Sequence, residues 1–180
     1  MKSNAKLMAT SSVFTALSVL FLLLSVVAPL PHLWLMIAGL ILLALYDEVG
    51  RKYTFCAYLA VSLLSFFLLP SITRAIDFTI FYGLYPAVLL PLINEKAKGK
   101  KKRLAMKGLV FTIDAAIVFF IINQMTGLSA LQERLLANGN VFIPVILLIS
   151  VALHFWYDYF VLKNGFDFYN LTLKPRIFKR

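Results

Sequence analysis

The chain has one cysteine, Cys56, and two histidines, His32 and His154. A single thiol forms no disulfide within the chain, and a cysteine metal cluster is excluded. No His-Glu-x-x-His, Gly-x-Ser-x-Gly or phosphate-loop pattern occurs. An intramembrane metalloprotease, a serine protease and an ATPase are therefore not expected from this chain alone. It reads as a non-enzyme, with no metal and no cofactor assigned. Charge is also scarce, at 14% of residues, and only 8 of those residues are acidic against 18 Lys and Arg.

What is present is apolar. The composition is 61% hydrophobic, against about 45–50% for a soluble domain. A small globule has too much surface to hide that excess, whereas lipid removes the conflict. The length suits one membrane domain. Six apolar runs, at about residues 7–28, 33–46, 53–69, 76–93, 108–125 and 141–162, are candidate spans. The expectation is an all-α, polytopic integral membrane protein, a six-transmembrane-helix bundle. The first run exceeds the length of a secretion-signal core and reads as a retained anchor. Gly83, Pro86 and Pro91 predict a distorted fourth helix. Leu128, Leu131, Leu135 and Leu136 suggest a short amphipathic surface helix. Residues 163–180 form a basic, aromatic tail at headgroup level.

Basic residues alternate from loop to loop. Two lie at the N-terminus, two at Arg51 and Lys52, seven from Lys96 to Lys107 and five from Lys163 to Arg180. Only Arg74 and Arg134 fall in the opposite set of loops. The positive-inside rule then places both termini in the cytoplasm. The net charge of +10 is a topological signal that meets anionic lipid headgroups, and nucleic acid is not an expected partner. The bacterial cytoplasmic membrane is the expected location.

Ionisable residues inside spans are functional candidates. Asp114, His154 and Asp158 form such a set, and His154 and Asp158 share a helix face. Asp114 and Asp158 are expected at one level, either as a proton-linked cluster or as a polar clamp between helices. On the outer side Trp34, Arg74, Asp77, Tyr82, Tyr85, Asn123, Gln124 and Asn140 could line an aromatic, polar pocket for a small planar ligand. Ala9, Ser12 and Ala16, with Ala5, make a small-residue stripe on helix one that lets another helix approach closely. Cys56 is expected to pack as a small apolar residue.

Six spans, both ends inside, and the stretches Ala5-Lys-Leu-Met-Ala9 and Ser12-Val-Phe-Thr-Ala16 resemble the S components of energy-coupling factor (ECF) transporters. The family element is Ala-x-x-x-Ala, and the second stretch departs from it at Ser12. The segment Phe81-Tyr-Gly-Leu-Tyr-Pro86 also looks like part of small membrane proteins of Gram-positive bacteria. The ECF resemblance implies a subunit that binds a vitamin or similar micronutrient from outside. Ala9, Ser12 and Ala16 would meet a transmembrane coupling protein, and a separate ATPase pair would supply energy. Two other readings stay open. One is a non-transporting scaffold of the MreD kind, and the other is a proton-coupled carrier built on Asp114, His154 and Asp158.

Overall fold

A computed structural model describes residues 4–126 and 142–177, and among them there is no strand. Six helices follow in order: α1 Asn4–Val27, α2 Pro31–Val49, α3 Arg51–Leu68, α4 Ile72–Lys96, α5 Lys100–Thr126, and α6, which opens as Phe142–Trp156. α6 continues without a break through Tyr157–Lys163, Asn164–Phe168, Tyr169–Leu173 and Lys174–Ile177. The amphipathic segment around Leu128–136 and Asn140 lie outside the described residues.

The turns are tight. Leu30 adopts a left-handed φ of 59° between two prolines, and Pro31 starts α2. That conformation costs a residue with a side chain about 1–2 kcal/mol, while Pro31 fits the first helical position without losing a bond. Gly50, at φ 79°, alone separates α2 from α3.

α4 is not a regular helix. Its ends are α-helical, but Phe78–Gly83 and Tyr85–Leu89 are π-helical. Pro86 and Pro91 withhold donors from the ladder, and wider π turns are a common response at such places.

α2 is the central helix. Ile41, Leu42, Leu43, Ala44 and Leu45 are all buried, so it is covered on every side. It packs against α1 and α3, the π turns of α4, and α6. One core cluster joins Leu22, Leu35, Leu42, Leu45, Val61 and Phe78. A second joins Phe81, Tyr85, Phe111, Tyr157 and Leu162. Ser18 Oγ of α1 donates to the Ala38 carbonyl of α2 at 3.0 Å, which fixes that pair in register.

The outside is apolar. Val13, Leu20 and Val27 on α1, Leu63 and Phe67 on α3, Leu109 and Phe120 on α5, and Leu148 and Leu153 on α6 are exposed. Water does not tolerate so continuous an apolar surface. Three helices, Asn4–Val27, Pro31–Val49 and Ile72–Lys96, are long and apolar enough to cross a membrane. Together these features are those of a membrane protein.

Three expectations change. The basic stretch 95–107 is mostly helix, because α5 already starts at Lys100. Lysine is a good helix former, and an apolar-run criterion does not see a helix extend into charged sequence. The described part of the tail, to Ile177, is helical and docked: Tyr169 Oη donates to Glu48 Oε1 at 3.2 Å, and Lys174 pairs with Asp47 and, at 3.1 Å, with Glu48. Cys56 is exposed rather than packed inside, because its position on α3 turns it outward beside Phe55 and Leu59.

Candidate functional site

Near the N-terminal end of α2 four helices leave a cavity of about 390 Å³. α2 contributes His32 and Met36, which lie four apart and so face one way. α4 contributes Asp77, Phe81 and Tyr82, α5 contributes Asp114, and α6 contributes Ser150, His154, Trp156 and Tyr157. Gly39 makes this meeting of helices possible. A Cβ there would stand 2.0 Å from the Tyr82 carbonyl oxygen and 2.9 Å from Tyr157 Oη.

His154 is held at both nitrogens. Nδ1 lies 2.6 Å from the Ser150 carbonyl and Nε2 lies 2.8 Å from Asp114 Oδ2. A carbonyl only accepts, so Nδ1 is assigned the proton it donates. Nε2 and a carboxylate oxygen then need a second proton between them. The pair is either imidazolium and carboxylate or imidazole and carboxylic acid, and in both forms its net charge is zero. The Phe81 ring lies 3.9 Å from the His154 ring, centroid to centroid, and Phe111 lies 5.5 Å away.

Asp158 belongs to a different arrangement. Tyr85 Oη donates to its Oδ1 at 2.6 Å, and Lys107 Nζ pairs with its Oδ2. Asp114 and Asp158 therefore do not face each other. They anchor two separate pairs, one helical turn apart on α6. A second cavity of about 380 Å³ lies beside Asp158, with Lys107, Arg103, Asn94 and Lys163 in its wall. Among the described residues none lines both cavities. Between them Phe81 stacks on Tyr85 at 5.8 Å, and Phe111 packs on Tyr85 at 4.9 Å.

The remaining candidates divide. Asp77 and Tyr82 line the first cavity, but Trp34 and Arg74 do not. Trp34 stacks on Phe21 at 5.8 Å and donates Nε1–H to the Pro29 carbonyl at 2.9 Å. Arg74 reaches the Ser25 carbonyl at 3.4 Å. Tyr85 serves Asp158 in place of the first cavity. Asn123 and Gln124 fall in the last turn of α5, and Asn140 lies outside the described residues.

Sequence reasoning missed Met36, Phe81, Trp156, Tyr157 and Lys107. Phe81 and Tyr157 read as span filler. The signal for Met36 was its four-residue spacing from His32. Lys107 carries no signal of its own, because it ends a run of basic residues that reads as a solvated loop.

Ala9, Ser12 and Ala16 are all exposed. Ser12 Oγ donates to the Met8 carbonyl at 3.0 Å, so its hydroxyl is satisfied within its own helix. No other described helix covers the stripe. Among the described residues no three His, Cys, Asp or Glu side chains approach closely enough to hold a metal ion. Comparison with protein-family models, curated proteins and solved structures finds no match to this chain.

Proposed function

We propose that the chain is a solute-binding membrane subunit of the ECF S-component kind, crossing the bacterial cytoplasmic membrane six times with both ends inside. The observation that carries this reading is the polar, aromatic cavity. It opens at the end of the bundle opposite the cationic segments around Lys52, Lys100 and Lys174, which is the outer end under the positive-inside rule. Its volume falls in the range of small-molecule sites, about 300–1,000 Å³. The solute is of vitamin or micronutrient size. Energy comes from a partner ATPase pair, since this chain carries no nucleotide-binding pattern. The uncovered Ala9, Ser12 and Ala16 face supports contact with a coupling protein, because small side chains let a partner helix pack closely.

The test is reconstitution in liposomes with an ECF coupling module. The expected result is co-purification with the module and solute-stimulated ATP hydrolysis, both reduced by Ala9→Leu with Ala16→Leu. Failure to co-purify with the module would defeat the reading. Capture of cell-envelope enzymes in place of ATPases would favour a scaffold.

One observation favours a proton-coupled carrier as the second reading. The Asp114–His154 and Lys107–Asp158 pairs border two cavities on opposite sides of one aromatic layer. Asp114→Asn that folds normally but loses pH-dependent uptake, in liposomes without any ATPase, would support it.

A further inference from the structure

The lining of the cavity bears on which solute would fit it. The proton count above makes the Asp114–His154 pair neutral. Among the described residues neither Lys nor Arg lines the cavity. Asp77 is the remaining acid, and among the described residues it has no hydrogen bond or ion pair. Its charged neighbours are His32 on α2, Asp114 on α5 and His154 on α6. Asp77 is thus an acid of the cavity wall that no Lys, Arg or hydrogen-bond donor among the described residues engages.

Half-burying a carboxylate with no partner is costly. A cationic solute removes that cost, while a neutral or anionic solute does not. The walls agree. Phe81, Tyr82, Trp156 and Tyr157 line the space, and the rings of Tyr82 and Tyr157 meet edge to face at 5.4 Å. Ring faces attract organic cations, and cages of such rings suit alkylated ammonium groups that have few or no N–H donors. A metal ion is a poor alternative, because among the described residues no three ligating side chains converge. We infer that this cavity binds a small organic monocation, an amine or quaternary ammonium compound, with Asp77 as its counter-ion and the Tyr82 and Tyr157 rings as its cage. The inference rests on the solute-binding reading.

Choline and 3,3-dimethylbutan-1-ol are suitable probes, since they have nearly the same shape and differ in charge. Titration calorimetry on the full chain in detergent should show choline binding at least about tenfold more tightly than the alcohol. 3,3-Dimethylbutyrate should bind more weakly still. Asp77→Asn should bring the choline preference down to about onefold, and Asp77→Glu should retain it. Tyr82→Leu should weaken choline more than the alcohol, which decides the matter if Asp77→Asn does not fold. Equal or tighter binding of the alcohol or the butyrate would overturn the cation assignment while leaving a solute site. A preference that survives Asp77→Asn would overturn the role of Asp77. If none of the three probes binds at millimolar concentration, the cation assignment and the solute site both fall.

Discussion

Asp158 shows what one buried charge requires. Its two oxygens are engaged by different helices, Tyr85 from α4 and Lys107 from α5. Both side chains of the ion pair are about one-sixth exposed or less, 16% for Lys107 and 13% for Asp158. Removing one partner leaves the other charge buried and alone. Asp158→Asn should therefore destabilise the fold by about 3 kcal/mol, while Asp158→Leu with Lys107→Met should cost less than either single change. Unfolding of the single and double variants in detergent checks this. The acid was legible in the sequence because a charge within an apolar run stands out. Its partner was not, since Lys107 sits in a run of lysines and only the helix phase distinguishes it. The same limit misplaced Trp34. It is two residues from both His32 and Met36, about 200° away around the helix, so it points away from the cavity those two line.

At the level of elements, α2 and α4 cross where α2 has no side chain. A methyl group on Gly39 would collide with backbone, the Tyr82 carbonyl, and backbone cannot rotate aside. Gly39→Ala should lower stability by about 1–3 kcal/mol or more and weaken the choline probe as well, because Tyr82 and Tyr157 both shift. Thermal unfolding in detergent and the calorimetric titration measure the two effects. A glycine within an apolar run is ordinary in membrane helices, so this role was not legible. The distortion of α4 was legible from its prolines, but the π-helical turns were not. They depend on which neighbouring groups take up the freed carbonyls.

The docked tail gives α6 a pH response. The hydrogen bond to Asp47 raises the Lys174 pKa above its ordinary 10.5, with burial opposing and Glu48 adding to the rise. A raised lysine stabilises fully below its unfolded value and loses that contribution as pH climbs through the folded one. On the alkaline side, release of the tail is therefore expected above about pH 10.5, and Lys174→Ala should mimic it at neutral pH. Protease cleavage after Lys163 reports either event.

For the whole molecule, class was far more legible than function. Apolar content and alternating basic loops depend on composition, and composition survives without coordinates. A cavity is a property of helix phase and crossing angle, which a linear chain does not display. The proposed six-span arrangement makes its own prediction. After Cys56→Ser, a cysteine at Lys100 should stay unreactive to an impermeant thiol reagent in intact cells, and one at Ser71 should react. The reverse pattern would invert the proposed orientation. The exposed girdle of Leu63, Phe67, Leu148 and their neighbours further requires the purified chain to aggregate once detergent is withdrawn.

Helix α6 runs unbroken from Phe142 to Ile177, with His154 in the wall of the first cavity and Lys174 clipped to α2 at the far end. Twenty residues of helix span about 30 Å. A rod of that reach is a lever. A tilt of about 10° at the histidine displaces the lysine by roughly 5 Å over that length, more than its contact with Asp47 can stretch. Under the proposed solute-binding reading, occupancy of the cavity that tilts α6 would therefore open the clip at the far end of the rod.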